Sequence, residues 1–518
     1  MTSAIFMIPI PATPSGATTR DWLQLLAACL TGILIPLCFT GPAVVLPAIG
    51  QALGGTAAQL NWVVNGYILT YGSAMMAAGS LADIHGRKRV WLAGLVLFLL
   101  TTCAIALAPS VAAIIGLRLV QGVAGAAAFA GAMAALAQTF HGPLRTRVFS
   151  LLGTTFGIGL AFGPLAAGAL VEAAGWRWVF LATGLLGLAA FLLAWAGATA
   201  SRDPGATGLD WPGALSFTAA LTLLTYGVLL APEEGWRSMA VLGSVLAAGV
   251  LFLAFVVIER RVARPMLDLS LFRSARFVGV QVLAAAPAFF FVTLIVLLPG
   301  RFIGIDGLGA LAAGQWMIAL AAPLLVVPFM AAVLARRVPA GALSALGLLL
   351  AAAGLAWLGR VLPGGAGPAL VLPLLLIGTG IGLPWGLMDA MAVDMVERER
   401  AGMATGIFNA VRVSADGVAI AVVGALLAIL VQSQLLGALP AASVADVIEA
   451  GNRVSLGDLR QAGVLLPGAR ALLLASYDAA FCQVLDALAG AAALTALLVF
   501  VLLGRREVMP GVQETAAA

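Results

Sequence analysis

Fourteen long apolar segments run through this chain, and they limit the possible folds more than any other feature does. Because a bilayer core about 30 Å thick is crossed by about 20 helical residues, each segment is long enough to span a membrane. Apolar residues make up 62% of the sequence and charged residues 9%, whereas a soluble domain carries about 25% charged residues. The sequence therefore predicts an all-α membrane protein whose fourteen transmembrane helices centre on residues 23–49, 60–82, 90–108, 111–138, 148–171, 178–198, 212–231, 239–258, 277–300, 312–334, 340–360, 369–391, 402–432 and 478–503.

The positive charges give an independent check of this count. If the N-terminus is cytoplasmic, eighteen of the 27 Lys and Arg residues fall in inner loops and tails, and seven fall outside. The remaining two, Arg118 and Arg412, lie within spans. This bias predicts an even number of spans and two cytoplasmic termini. The bases are not gathered on a soluble domain, so we expect no nucleic-acid partner. The abundance of Ala and Arg, with one lysine, favours a bacterial inner membrane.

The residues that usually carry catalysis or bind metals are sparse. The four cysteines lie singly in apolar stretches, and the two histidines fall in short loops. We therefore predict no metal site and no cofactor. The inner loops contain no Ser/His/Asp set, which argues against a membrane enzyme, and no phosphate-binding loop is present, which argues against a primary pump.

A charged hairpin joins the second and third spans. It reads Gly-Ser-Leu-Ala-Asp-Ile-His-Gly-Arg-Lys-Arg-Val-Trp over residues 79–91. Gly79 and Gly86 permit close approach and a sharp turn, while Asp83 and the bases from Arg87 onward place charge at a membrane face. The stretch resembles the loop between helices two and three of major facilitator superfamily transporters. That resemblance implies that Gly79, Asp83, Gly86 and Arg87 help latch the inner side in an outward-facing state.

The fifth span carries a second pattern, Gly159-Leu-Ala-Phe-Gly163-Pro164-Leu-Ala-Ala-Gly168. Small residues at this spacing make a smooth helix face that another helix can approach, and Pro164 bends the helix. The pattern resembles a signature of the antiporter branches of the superfamily, with Ala167 in place of one glycine. Ordinary helix packing is the alternative interpretation.

Shorter matches extend the resemblance along nearly the whole chain. They lie at 62–69, 175–181, 210–213, 264–272 and 401–412, and together they resemble the fourteen-helix drug:proton antiporters. The resemblance implies a six-helix bundle over residues 1–200, two inserted helices over 201–260 and a second bundle over 261–518. It also implies alternating access and a monomer. The polar stretch 433–475 is expected to be a solvated outer connector, with a lid as the alternative.

The implied function is proton-coupled export of amphiphilic drugs or toxic compounds, with a small-molecule substrate, protons and the lipid bilayer as partners. The alternative is a proton-coupled symporter that imports a nutrient. An exporter of this kind needs a group that gains and loses a proton as the cavity changes sides, and an intramembrane carboxylate is suited to this. The family commonly has an aspartate in the first span, and Cys38 stands there in this chain.

Asp416 is the best substitute for that missing aspartate. It lies about 21 Å into the thirteenth span counted from Gly402, and it follows Arg412 by four residues, so we expect an ion pair on one helix face. Asp389 and Asp486 are alternatives. Arg118 is costly to bury and must face a cavity or a partner, unless it reaches the outer surface; in the family this arginine lies near the proton pathway. Residues that could line the substrate cavity, or simply pack, are Asn65, Tyr67, Phe156, Trp316, Trp385 and Met388.

Overall fold

The computed structural model describes residues 18–140, 142–202, 210–262, 267, 269–394, 401–440 and 442–504. Within the stretch 264–272 that carries part of the resemblance, residues 264–266 and Asp268 lie outside this part of the chain. The side chains of 401–406 are also outside the described part.

The described residues fold almost entirely into helices. The helices are α1 (Thr19–Leu53), α2 (Ala57–His85), α3 (Arg87–Ala106), α4 (Val111–Thr139), α5 (Gly142–Ala174), α6 (Trp176–Gly197), α7 (Trp211–Glu234), α8 (Met239–Glu259), α9 (Ala275–Pro287), α10 (Thr293–Gly300), α11 (Ala310–Ala321), α12 (Pro323–Leu334), α13 (Ala340–Val361), α14 (Val371–Asp394), α15 (Ala401–Ala438), α16 (Val444–Ser455), α17 (Leu459–Leu465) and α18 (Arg470–Leu503). We call the face where α1 begins the inner face, and the face where it ends the outer face.

The prediction of about fourteen membrane spans is confirmed. Within the described part of the chain, thirteen helical segments are long and apolar enough to cross a membrane. The one predicted span that is not among these thirteen is the second, residues 60–82, which forms the 29-residue helix α2. Its mean hydropathy is lower because it carries Asn61, Asn65, Ser73 and Asp83, and these polar residues already indicate that α2 borders other helices.

The ninth span is a continuous helical rod, Ala275–Ile305, with two irregular turns. A π turn at Ala288–Val292 follows Pro287, and a second at Arg301–Ile305 follows Pro299. Proline removes a backbone donor and shifts the hydrogen-bond pattern of the turn next to it. Such π turns often occur at functional positions.

The helices pack as an N-terminal half, α1–α6, and a C-terminal half, α9–α15 with α18. The two halves meet where α2 contacts α15, α5 contacts α11, and α1 contacts α10. Helix α7 packs on α2 and α15, and α8 packs on α7. Only 17% of the most apolar stretch of α8 is buried inside the protein, so most of this helix is left to face lipid.

The outer stretch 433–475 is not the solvated connector expected from its composition. Helix α15 continues to Ala438, and α16 and α17 form a packed outer cap before α18 begins. Val447, Ala450 and Val454 on one face of α16 are fully buried. Gln432 of α15 donates both to Asn452 Oδ1 at 2.7 Å and to Pro232 O at 2.8 Å, which ties the cap to α7.

Candidate translocation site

The charged hairpin between α2 and α3 contains almost no loop, because α2 ends at His85 and α3 begins at Arg87. Gly86 alone separates the two helices, and its φ of +103° requires glycine. Arg87 Nε lies 3.1 Å from Asp83 Oδ1, so an ion pair spans the turn. The predicted sharp turn at Gly86 is therefore present.

Among the described residues, the hydrogen bonds and the ion pair of this hairpin stay within the N-terminal half or the segment that follows it. Arg87 also donates to Gln138 of α4, and its backbone N–H donates to Ser201 O at 2.9 Å. The Asp83 side chain is 41% exposed. Gly79 has open space where a Cβ would lie, so close approach does not explain that glycine. A latch to the C-terminal half stays a prediction for another conformational state.

The glycine pattern of α5 packs on two different helices. A Cβ on Gly159 would lie 2.5 Å from Ile33 O and from Pro36 of α1, and a Cβ on Gly163 would lie 3.1 Å from Thr40 Cβ. A Cβ on Gly159 would overlap the α1 backbone, and one on Gly163 would displace Thr40, so these glycines bring α5 against α1 within the N-terminal half. The small face of the helix was predicted from its residues.

Gly168, the last glycine of the pattern, lies against the other half of the protein. A Cβ there would overlap Ala310 O and lie 3.0 Å from Leu311 Cα, both in α11. Gly314 of α11 makes the reciprocal approach, since its Cβ would lie 2.6 Å from Leu165 Cα. The pattern thus closes the outer ends of α5 and α11 onto each other.

Glu172 strengthens the contact between α5 and α11, although it was not among the residues predicted from the sequence. Its Oε1 accepts from the backbone N–H of Leu311 at 2.9 Å. Helix α11 begins after Gly309, which supplies no side-chain cap. The N-terminal half therefore provides the N-cap for a helix of the C-terminal half. In the sequence, the one indication of this role is that Glu172 lies one helical turn beyond Gly168.

Arg118 is fully buried and does not reach the outer surface. Its Nε donates to Val63 O at 2.8 Å, and its other nitrogens donate to Gln121 Oε1 at 2.6 Å and to Cys38 O. The guanidinium carbon also lies 4.4 Å from the ring centre of Tyr67. The backbone of Cys38 and an aromatic face thus hold this cation.

Arg412 lies at the boundary between the two halves, among aromatic rings. Its guanidinium carbon is 5.8 Å from the ring centre of Phe156 in α5, 5.9 Å from Trp385 and 5.6 Å from Phe408. Its ion pair is with Asp389 Oδ1 at 3.7 Å. The Asp389 side chain is 53% exposed, whereas that of Arg412 is 13% exposed. We call these five residues the Arg412 cluster.

The expected ion pair between Arg412 and Asp416 is replaced by the one with Asp389. Asp416 is 8% exposed and lies one helical turn above Arg412. Close to it, Gly72 of α2 would place a Cβ 3.1 Å from Ser414 Cα, so the two halves touch here. The Tyr71 hydroxyl is buried, with no hydrogen-bond partner among the described residues, and its ring stacks on Tyr67 at 5.8 Å.

The remaining predicted residues are spread more widely. Asn65 is buried and donates to Asn61 O at 3.1 Å. Met388 is fully buried next to Asp389 in α14, and Trp316 is half-buried in α11. Asp486 is exposed on α18. The structure thus brings Phe156 and Trp385 together with Arg412 and Asp389, and it places Tyr67 with Arg118 in a second group.

Several relatives resemble the chain over most of its length. The tetracenomycin C resistance and export protein of Streptomyces glaucescens is 30% identical over 504 residues, covering 94% of this chain and 92% of that protein. The cephamycin export protein CmcT of Amycolatopsis lactamdurans is 36% identical over 419 residues, covering 77% and 84%. The multidrug resistance protein Stp of Mycobacterium tuberculosis H37Rv is 31% identical over 411 residues, covering 78% and 76%.

Solved structures share the fold at low sequence identity. A peptide transporter superposes with a TM-score of 0.60 at 15% identity, over 93% of this chain and 95% of its own. A bacterial homologue of the human lysosomal transporter Spinster, in an inward-facing and unoccupied conformation, gives 0.59 at 15% identity, over 94% and 98%. The family model described as Major Facilitator Superfamily matches residues 28–420. With this match and the packing described above, the chain belongs to the Major Facilitator Superfamily.

Proposed function

We propose that this chain exports amphiphilic toxic compounds in exchange for protons. The observation that carries the proposal is the Arg412 cluster, because a cation, an acid and three aromatic rings meet where the two halves touch, and a second acid, Asp416, lies one helical turn away. Aromatic faces and carboxylates are the groups that bind an amphiphilic cation, and a carboxylate is also the group that binds a proton. One site can therefore exchange the two.

The relatives favour export over the alternative of nutrient import. Three of them are named as export or resistance proteins for antibiotics or multiple drugs. The glycine pattern of α5 supports the same direction, since it resembles that of antiporters. Nutrient import would instead predict inward flux of the substrate together with protons.

The contacts between the halves support alternating access. At the outer face, Glu172 and Gly168 hold α5 against α11. Asp389, near the inner end of α14, is half exposed. We propose that residues 1–200 and 261–518 rock about the Arg412 cluster, with residues 201–260 as inserted helices. We also propose a monomer in a bacterial inner membrane, with both termini in the cytoplasm.

Asp416 and Asp389 are the proposed proton-coupling residues. The test uses bacteria that lack their main efflux pumps, loaded with ethidium, with dye loss followed with and without a protonophore. Protonophore-sensitive loss is expected, and Asp416→Asn should abolish it while the protein stays in the membrane. Asp389→Asn should weaken it, since Arg412 loses its ion-pair partner.

A matched control is Asp486→Asn, which removes an exposed acid of α18. Its dye loss should equal that of the parent. If Asp416→Asn transports normally, Asp416 is not the coupling site, and loss of dye export in Asp486→Asn would assign that role to Asp486. Protonophore-sensitive dye accumulation in place of loss would contradict the export proposal itself.

A further inference from the structure

A second buried charge cluster lies at the outer end of the C-terminal half, on the opposite side of the membrane from the exposed Asp389. Its cation is Arg301, in the second π turn of the ninth span, and this side chain is 2% exposed. Two carboxylates pair with it, Asp306 at 3.4 Å and Asp478 of α18. The guanidinium also donates to Leu362 O at 3.0 Å and lies 5.4 Å from the ring centre of Tyr477.

The charges of this cluster do not balance when both carboxylates are ionised. One guanidinium faces two aspartates, which leaves one negative charge in excess. The Asp306 side chain is 9% exposed, and its Oδ2 is buried with no hydrogen-bond partner among the described residues. An ionised oxygen held away from water without a partner is unfavourable. A proton on one carboxylate removes the excess charge.

We propose that Arg301, Asp306 and Asp478 form an external proton-binding site in which the two carboxylates share one proton beside the guanidinium. Asp478 is 27% exposed and connects the cluster with water at the outer face. The proton comes from that water to a carboxylate oxygen and returns to it on release, so no other reactant takes part.

Few other polar groups surround the cluster. Helix α18 places the Tyr477 ring beside Arg301 and carries Cys482 and Asp486 further along, and the turn after α13 contributes Leu362 O, which accepts from Arg301. On the cap side, Gly304 of the rod packs on Gly457, and the neighbouring Asp458 pairs with Arg453 at 3.7 Å.

Burial raises the pKa of Asp306. The Arg301 guanidinium and a backbone hydrogen bond from Ala366 oppose this rise, and the Asp478 carboxylate adds to it. Asp306 follows the last residue of the ninth span, so its surroundings are those of the outer surface.

This site is distinct from the Arg412 cluster, and its protonation does not depend on the proposed transport function. Arg301 anchors the outer end of the rod to α18 and to Leu362, and the rod in turn packs on the outer cap through Gly304. Loss of the proton adds a negative charge to that anchor. The cluster would therefore make the outer end of the rod sensitive to external pH.

Infrared difference spectroscopy of the full chain in lipid nanodiscs, titrated over pH, tests the proposal. The C=O stretch of a protonated carboxylic acid is expected to appear as the pH falls and to be lost in Asp306→Asn. It is also expected to be lost in Asp478→Asn, because either substitution leaves one carboxylate for one guanidinium. Asp458→Asn, in the cap, is the control and should keep the band.

Thermal stability supplies a second measurement. Since the pKa of Asp306 is raised above 3.8, the folded chain binds more protons than the unfolded chain between pH 3.8 and the raised value. The stability of the parent relative to Asp306→Asn should therefore fall as pH rises through that window. A band that survives in both Asn variants, or equal pH slopes of Tm, would overturn the proposal. Either result would leave proton-driven dye export untouched, so the two proposals fail separately.

Discussion

The hydrogen bond from Leu311 N–H to Glu172 makes a quantitative prediction about the outer closure. Replacing an N-cap acceptor by alanine costs about 1 kcal/mol, and an exposed carboxylate at a helix N-terminus contributes about 0.3–1 kcal/mol of this through its charge. The bond forms only when α5 and α11 touch, so Glu172→Ala should weaken the outer-closed state by about 1 kcal/mol. Since 1.4 kcal/mol is about tenfold, the ratio of closed to open molecules should fall about fivefold.

Glu172→Gln separates the hydrogen bond from the charge. An amide oxygen can still accept from Leu311 N–H, so only the interaction of the charge with the helix terminus is lost. We expect Glu172→Gln to weaken the outer-closed state by about 0.5 kcal/mol, which lowers the ratio of closed to open molecules about twofold. The order of the outer-closed populations should therefore be parent, then Gln, then Ala.

Spin-label distances across the outer face measure this population. Labels at Ala174 and Gln315, both exposed, report the separation of α5 and α11 by pulsed electron paramagnetic resonance, with the exposed Cys103 replaced by serine. Glu234→Ala removes another exposed acid at the outer face and serves as the control. If Glu172→Ala and Glu234→Ala give the same distance distribution as the parent, the cap does not stabilise the closed state.

Two further substitutions test the packing around the proposed pathway. Gly168→Leu should abolish dye export from inserted protein, because its side chain would overlap α11, whereas Gly153→Leu, where a Cβ meets open space, should export normally. Arg118→Leu should lower Tm in detergent, since it removes the buried donor of Cys38 O and of Gln121 Oε1, each at about 1–3 kcal/mol; an unchanged Tm would show that the arginine is not needed for folding.

The sequence predicted those features that depend on local composition. The fourteen spans follow from runs of apolar residues, and the turn at Gly86 follows from the conformational freedom of glycine. The small face of α5 is also a property of one helix. Which helix that face would meet was not predictable, and the structure divides it between α1 and α11.

Contacts between distant residues were the part that could not be predicted. The hydrogen bond to Glu172 joins positions 139 residues apart, and the ion pair of Arg301 with Asp478 joins positions 177 apart. The sequence predicted an ion pair of Arg412 with Asp416 because the two residues are four positions apart in one helix. Its pairing with Asp389 depends on how α14 and α15 pack, which the spacing does not encode.

The burial of Arg118 also has a consequence for how the protein enters the membrane. An arginine two turns inside α4 opposes insertion of that helix on its own. Its partners Cys38 and Val63 lie on α1 and α2, which leave the ribosome before α4 does. Helix α2 is itself the predicted span that is not among the thirteen strongly apolar segments of the described chain. The first four helices are therefore expected to insert as a cooperating group, with the oxygen atoms that solvate the charge synthesised before the charge itself.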